Sequence, residues 1–128
     1  MDFLVQIDLS ILGSNLDPAD ITRLLGVLPD TALHQGERNP QLGLPKSSIW
    51  SKRSTAGNTD SFLEEHWSSL ESKFAGKEEL LRNVSATGRI VVTIIVDGSG
   101  RIPSLYFPNK MVDFVAKIGA DLDIDVNQ

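Results

Sequence analysis

The run RIVVTIIV, Arg89 to Val96, decides the fold. Every residue after Arg89 is β-branched. In a helix such side chains lose rotamer freedom against the preceding turn, whereas on a pleated surface they pack closely, so the run reads as a strand. Only Thr93 breaks its apolar character, which predicts burial on much of both faces and a place at the centre of a sheet. A membrane helix needs roughly 20 apolar residues, and this run, the longest apolar stretch in the chain, falls far short. No membrane partner is expected.

Directly after it stands Asp97-Gly98-Ser99-Gly100-Arg101-Ile102, which resembles the middle of a calcium loop. Such a loop needs oxygen ligands at its first, third and fifth positions, glycine at the sixth and a bidentate Glu at the twelfth. With Gly100 as that glycine, Asp97 and Ser99 fall into place, but Ile95 and Tyr106 take the first and twelfth positions. Asp-Gly between apolar runs is instead a hairpin signal, because glycine accepts positive φ. The expectation is a turn followed by a strand over Ile102–Phe107 that pairs back onto the first run. Pro103 lacks an amide proton and points to an edge or to the start of the strand; an edge strand there could pair across a two-fold axis and form a homodimer.

Pro108 ends this segment, and Asn109 is placed to cap a helix carrying Met111, Phe114, Val115 and Ile118, with Gly119 closing it. Ala120 to Val126 then reads as a strand. Asp121, Asp123 and Asp125 face one way, about 6 to 7 Å apart, and Ala120, Leu122, Ile124 and Val126 face the other. Regular alternation of this kind predicts a solvent face opposite a core face, not a cation site.

Upstream, Leu63, Trp67, Leu70 and Phe74 recur at helical spacing, in a helix expected to start at Thr59 or Asp60. Gly76 interrupts it, and Lys77 to Val84 continues as a second, shorter helix. At the N-terminus, Phe3, Val5, Ile7 and Leu9 alternate with Leu4, Gln6, Asp8 and Ser10, the period of a half-buried strand. Asp17-Pro18-Ala19-Asp20 supplies a helix cap, a first-turn proline and an acid near the positive end of the dipole. Ile21, Leu24 and Leu25 give that helix its apolar face, and Gly26 closes it. Thr31 to Gln35 is a weak strand, Gly36 to Pro45 a long loop, Lys46 to Lys52 a short strand, and Ser54 to Asn58 a second loop.

Strands and helices in this order imply an α+β fold, an antiparallel or mixed sheet of about five to six strands with helices packed on one face, in a single domain over residues 1–128. Hydrophobic residues make up 41% and charged residues 23%, which suits a self-sufficient core. A net charge of -5 argues against nucleic acid as a partner. The chain has no cysteine, and its start, MDFLVQIDLS, lacks the basic and apolar regions of a secretory signal, so a cytoplasmic location is expected.

The chemistry-bearing residues form no catalytic pattern. His34 and His66 are the only histidines, with no HExxH spacing, and His66 reads as a boundary residue of the long helix. Neither GxSxG nor a glycine-rich phosphate loop occurs. Glu64, Glu65, Glu71, Glu78 and Glu79 read as solvated helix faces. No catalytic residue, metal ligand or cofactor is assigned. The segment from His34 to Arg53 stands apart, because a long irregular connection rich in cations, within an acidic chain, is often functional. Its candidate binding residues are His34, Glu37, Arg38, Trp50, Lys52 and Arg53, with a core role for Trp50 as the competing reading.

LGVLP at Leu25 to Pro29, with Asp17-Pro18, Ile21-Thr22, Gly36-Glu37 and Trp50 around it, together with LEEH at Leu63 to His66 and IGADLDID at Ile118 to Asp125, resembles a bacterial domain-of-unknown-function family, numbered 4279. The resemblance spans nearly the whole chain. It implies a small bacterial protein with no assigned activity, and it carries no catalytic residues over to this chain. The family's pattern ends in an aromatic residue after the last acidic strand, where this chain has Val126-Asn127. Two functions follow as expectations. The first is a non-enzymatic interaction module, immunity-like or regulatory, that binds a protein partner through its sheet or the 34–53 loop. The alternative is a small-ligand binder or enzyme with a pocket between the sheet and that loop.

Overall fold

The computed structural model describes residues 2–55, 63–102 and 104–127. The expected helix start at Thr59 or Asp60, and Pro103, lie outside the described residues. Two long strands, β1 (Asp2–Leu12) and β4 (Arg89–Ser99), form the middle of the sheet and run antiparallel in register from Asp2 opposite Ser99 to Leu12 opposite Arg89. On the other side of β1 lies β3 (Ile49–Arg53), and beyond it β2 (Thr31–Leu33), both antiparallel to their neighbours. Beyond β4 lies β5 (Asp121–Asn127), which is parallel to it. The order is therefore β2-β3-β1-β4-β5, a five-stranded mixed sheet.

Four helices complete the α+β fold: α1 (Pro18–Leu25), α2 (Leu63–Phe74), α3 (Glu78–Val84) and α4 (Asn109–Lys117). Successive side chains on a strand point to opposite faces, and on β1 and β4 the buried set is Phe3, Ile7, Leu9, Ile11 and Ile90, Val92, Ile94, Val96. These pack with Ile21 and Leu25 of α1, Trp67, Leu70 and Phe74 of α2, Leu81 of α3, and Met111 and Phe114 of α4. Edge-to-face aromatic pairs, Trp50 with Phe74 at 6.3 Å and Trp67 with Phe114 at 5.3 Å, add directional contacts to this core. Among the described residues, no helix is long and apolar enough to cross a membrane.

Local chemistry fixes the connections. Asp17 accepts the Ala19 N–H at the start of α1, Pro18 follows it, and left-handed Gly26 ends the helix by donating to Thr22 O. Where β1 leaves the sheet and β4 enters it, the two backbones cross closely. A Cβ built on Gly88 would lie 2.0 Å from Leu12 O, so only glycine fits there. Ser14 Oγ then donates to Val84 O at 2.6 Å, and Asn15 N–H donates to Thr87 Oγ1 at 2.8 Å, tying the start of one connection to the end of the other.

Three expectations need correction. Ile102 and residues 104–107 form no strand, because β1 and β5 already occupy both sides of β4, and Asp97-Gly98-Ser99 is not a hairpin turn but the last part of β4, opposite Leu4, Phe3 and Asp2. The chain crosses over through α4 instead, the kind of connection a parallel neighbour requires. Among the described residues the edge strand expected to support a homodimer is thus absent after β4, and β2 and β5 are the strands at the ends of the sheet. Asn109 is the first residue of α4 and not its cap. That position belongs to Pro108, with no side-chain hydrogen bond.

Candidate functional site

The 34–53 segment begins in an ordered cluster. His34 Nδ1 lies 2.7 Å from Glu37 Oε1, and His34 Nε2 lies 2.9 Å from Asp17 Oδ2. Asp17 uses its other oxygen to cap α1, so the loop is pinned to the start of that helix. The hydrogen bond to Asp17 and then that to Glu37 raise His34 above the ordinary histidine value, while the His34 bond holds both carboxyls below theirs. The result is an exposed imidazole clamped between two carboxylates, which favour its protonated form. Its ring nitrogens point to opposite sides, so the three side chains do not converge on one centre. Among the described residues no group of three or more His, Asp or Glu side chains is arranged to hold a metal ion.

The rest of the loop bonds to itself. Gly36 N–H donates to Pro45 O at 2.9 Å, and Arg38 and Asn39 N–H both donate to Leu44 O at 3.0 Å. Arg38 is exposed beside Glu37.

The other three candidates lie elsewhere. Trp50 is fully buried, its ring against Phe74 and its Nε1–H donating to Thr22 Oγ1 at 3.0 Å, so the structure places it in the core. Arg53 projects from the uncovered face and bonds Asp8 through Nε at 2.9 Å and Nη2 at 3.1 Å. Lys52 points to the helix side, 3.6 Å from Asp30, and lines a recess of about 330 Å³ with Gly26, Val27, Leu28 and Lys73. Lys77 closes the neighbouring helix end by donating from Nζ to Leu25 O. The structure thus joins His34 with Glu37 and adds Asp17. It does not join them to Trp50, Lys52 or Arg53.

Sequence reading also passed over a buried pair. Ser54 Oγ accepts the Ile7 N–H at 3.0 Å and lies 2.8 Å from His66 Nδ1, fastening α2 to the edge of β1. One proton bridges Ser54 Oγ and His66 Nδ1: the hydroxyl donates when the neutral ring is protonated at Nε2, and accepts when it is protonated at Nδ1. Burial pushes the His66 value down, in keeping with that neutral form.

The most exposed element is β5. All seven of its residues are exposed. Asp121, Asp123 and Asp125 stand on the uncovered face in register with Val91, Thr93 and Ile95, as the alternation implies. Leu122, Ile124 and Val126 share the helix side with Val92, Ile94 and Val96, yet keep 45%, 45% and 39% of their surface in water. The expected core face is therefore not covered. A depression of about 490 Å³ adjoins β5 on the uncovered face, lined by Ser10, Val91, Thr93, Asp121 and Asp123 among others.

A family model described as a domain of unknown function, DUF4279, matches residues 4–128. The chain belongs to the DUF4279 family. No curated protein and no solved structure matches the chain. Most positions that carried the family resemblance have structural roles here. Asp17 and Gly26 cap α1, Leu25, Trp50 and Leu63 fill the core, and His66 anchors α2 through Ser54. Glu37 is exposed and bonded within the His34 cluster. The DUF4279 model extends through β5, the strand whose apolar side chains lie open.

Proposed function

We propose that this chain is a non-enzymatic protein-interaction module, immunity-like or regulatory, whose docking surface is the free edge of β5. One observation carries the reading: among the described residues no strand pairs with the outer side of the seven-residue end strand β5, and three apolar side chains stand half open beside that side. A long exposed edge is a template for strand addition, and monomeric proteins blunt such edges unless they use them. Main-chain bonds from a partner strand would supply affinity, and contacts with Leu122, Ile124 and Val126 would supply selectivity. The absence of cysteine suits a reducing compartment, so the proposed setting is the bacterial cytoplasm.

A displayed library of random peptides tests the reading, selected on the native chain and counter-selected on the L122K/I124K variant. Recovery of extended peptides that bind the native chain and not the variant is the expected result. Peptides that bind both proteins equally contradict it, and peptides that lodge beside Lys52 and Lys73 favour the small-ligand reading instead.

A further inference from the structure

Resting on the β5 reading, we infer that the occupant of this edge is an extended segment in which Lys or Arg alternates with aliphatic residues. Residues opposite each other across a ladder project to the same face, with Cβ atoms about 4.5–5.5 Å apart. A strand added outside β5 therefore lays one set of side chains beside Asp121, Asp123 and Asp125, and the other beside Leu122, Ile124 and Val126.

The acidic side lacks local compensation. Asp121 has Arg89 at 3.8 Å, with both side chains well exposed. Asp123 and Asp125 have no cationic partner among the described residues, and their neighbours on β4 are Thr93 and Ile95. Cations at every second position of the incoming strand would meet these carboxylates, and the overall charge of -5 would draw such a segment in.

The same geometry disfavours a second copy of the chain. Two β5 strands paired antiparallel about Ile124 would match Leu122 with Val126 but set Asp123 against Asp125, and like charges directly opposite are destabilising. A segment of about five to seven residues spans β5 at about 3.3 Å per residue.

Three seven-residue synthetic peptides, alternating Lys with Val, Ser with Val, and Glu with Val, test the inference by titration into the isotope-labelled chain with amide shifts as readout. The Lys peptide is expected to move β5 resonances and to bind about ten-fold more tightly than the Ser peptide, the combined effect of two cross-strand ion pairs. The Glu peptide is expected not to bind. The D123N/D125N variant, altered only at exposed positions, should bind Lys and Ser peptides alike. Equal affinity of the native chain for the Lys and Ser peptides at β5 overturns the inference and leaves edge docking intact. Failure of all three peptides to move β5 in the folded chain overturns both.

Discussion

Val92 and Leu122 stand side by side across the parallel ladder of β4 and β5, on the same face of the sheet, yet Val92 is fully buried and Leu122 is 45% exposed. The helical layer ends between them. Removing Ile94, fully buried one step along β4, leaves a cavity, so Ile94→Ala should cost about 2–5 kcal/mol. Its partner Ile124 has less surface to lose, and Ile124→Ala should cost about 1 kcal/mol or less. Urea unfolding of both variants checks the contrast.

The two histidines should titrate on opposite sides of the ordinary value of 6.5, His34 above and His66 below. The His34 contribution to stability is complete below the unfolded value and is lost as pH rises through its raised folded value. Asp17 and Glu37, held low, contribute above their unfolded values and lose that contribution as pH falls through their folded ones. His66 also opposes acid, because the unfolded chain takes up its proton first, so stability drops as pH falls from 6.5 toward the depressed folded value. Histidine ring resonances followed against pH check all of this. Asp17→Asn and Glu37→Gln should each lower the His34 midpoint and leave His66 in place.

Thr22 is the partner that satisfies the buried indole of Trp50. Thr22→Val keeps the shape of the side chain and strands the indole N–H, at a cost of about 1–3 kcal/mol. Thr22→Ser restores the acceptor and should recover most of the loss in the same unfolding measurement.

At Gly88 any side chain meets backbone atoms of Leu12 and Gly13, which cannot move without disturbing the central ladder. Gly88→Ala is expected to cost about 3 kcal/mol or more, the upper end of overpacking effects. Thermal unfolding, or failure to accumulate folded protein, reports it.

The acids on β5 should also keep copies of the chain apart. Sedimentation of the native chain should show monomer, and the D123S/D125S variant, freed of the opposed carboxylates, should shift toward dimer at the same concentration.

Much of the fold was legible in the sequence because its signals are local. Asp17, Pro18 and Gly26 mark the ends of α1 through cap chemistry alone, and the β-branched density of β4 identifies an interior strand. What misled was pairing. Asp97-Gly98 signals a hairpin to a local reading, and only the full-length ladder with β1 and the crossover through α4 leave residues 104–107 no strand to join. The β5 alternation was equally legible, but alternation shows which side chains share a face, not whether a helix covers that face. His34 lay among the candidate residues because of its loop. Its partner Asp17, 17 positions away, reads as a helix cap, and the sequence gives no sign that one carboxylate does both.

Edge docking is tested most directly by amide chemical-shift mapping of the chain with a peptide recovered on the native protein. The largest shifts should fall on Asp121–Asn127 and the adjoining residues of β4, and should vanish in the L122K/I124K variant. Shifts centred on the His34–Arg38 loop or on the recess beside Lys52, with β5 unmoved, would contradict it.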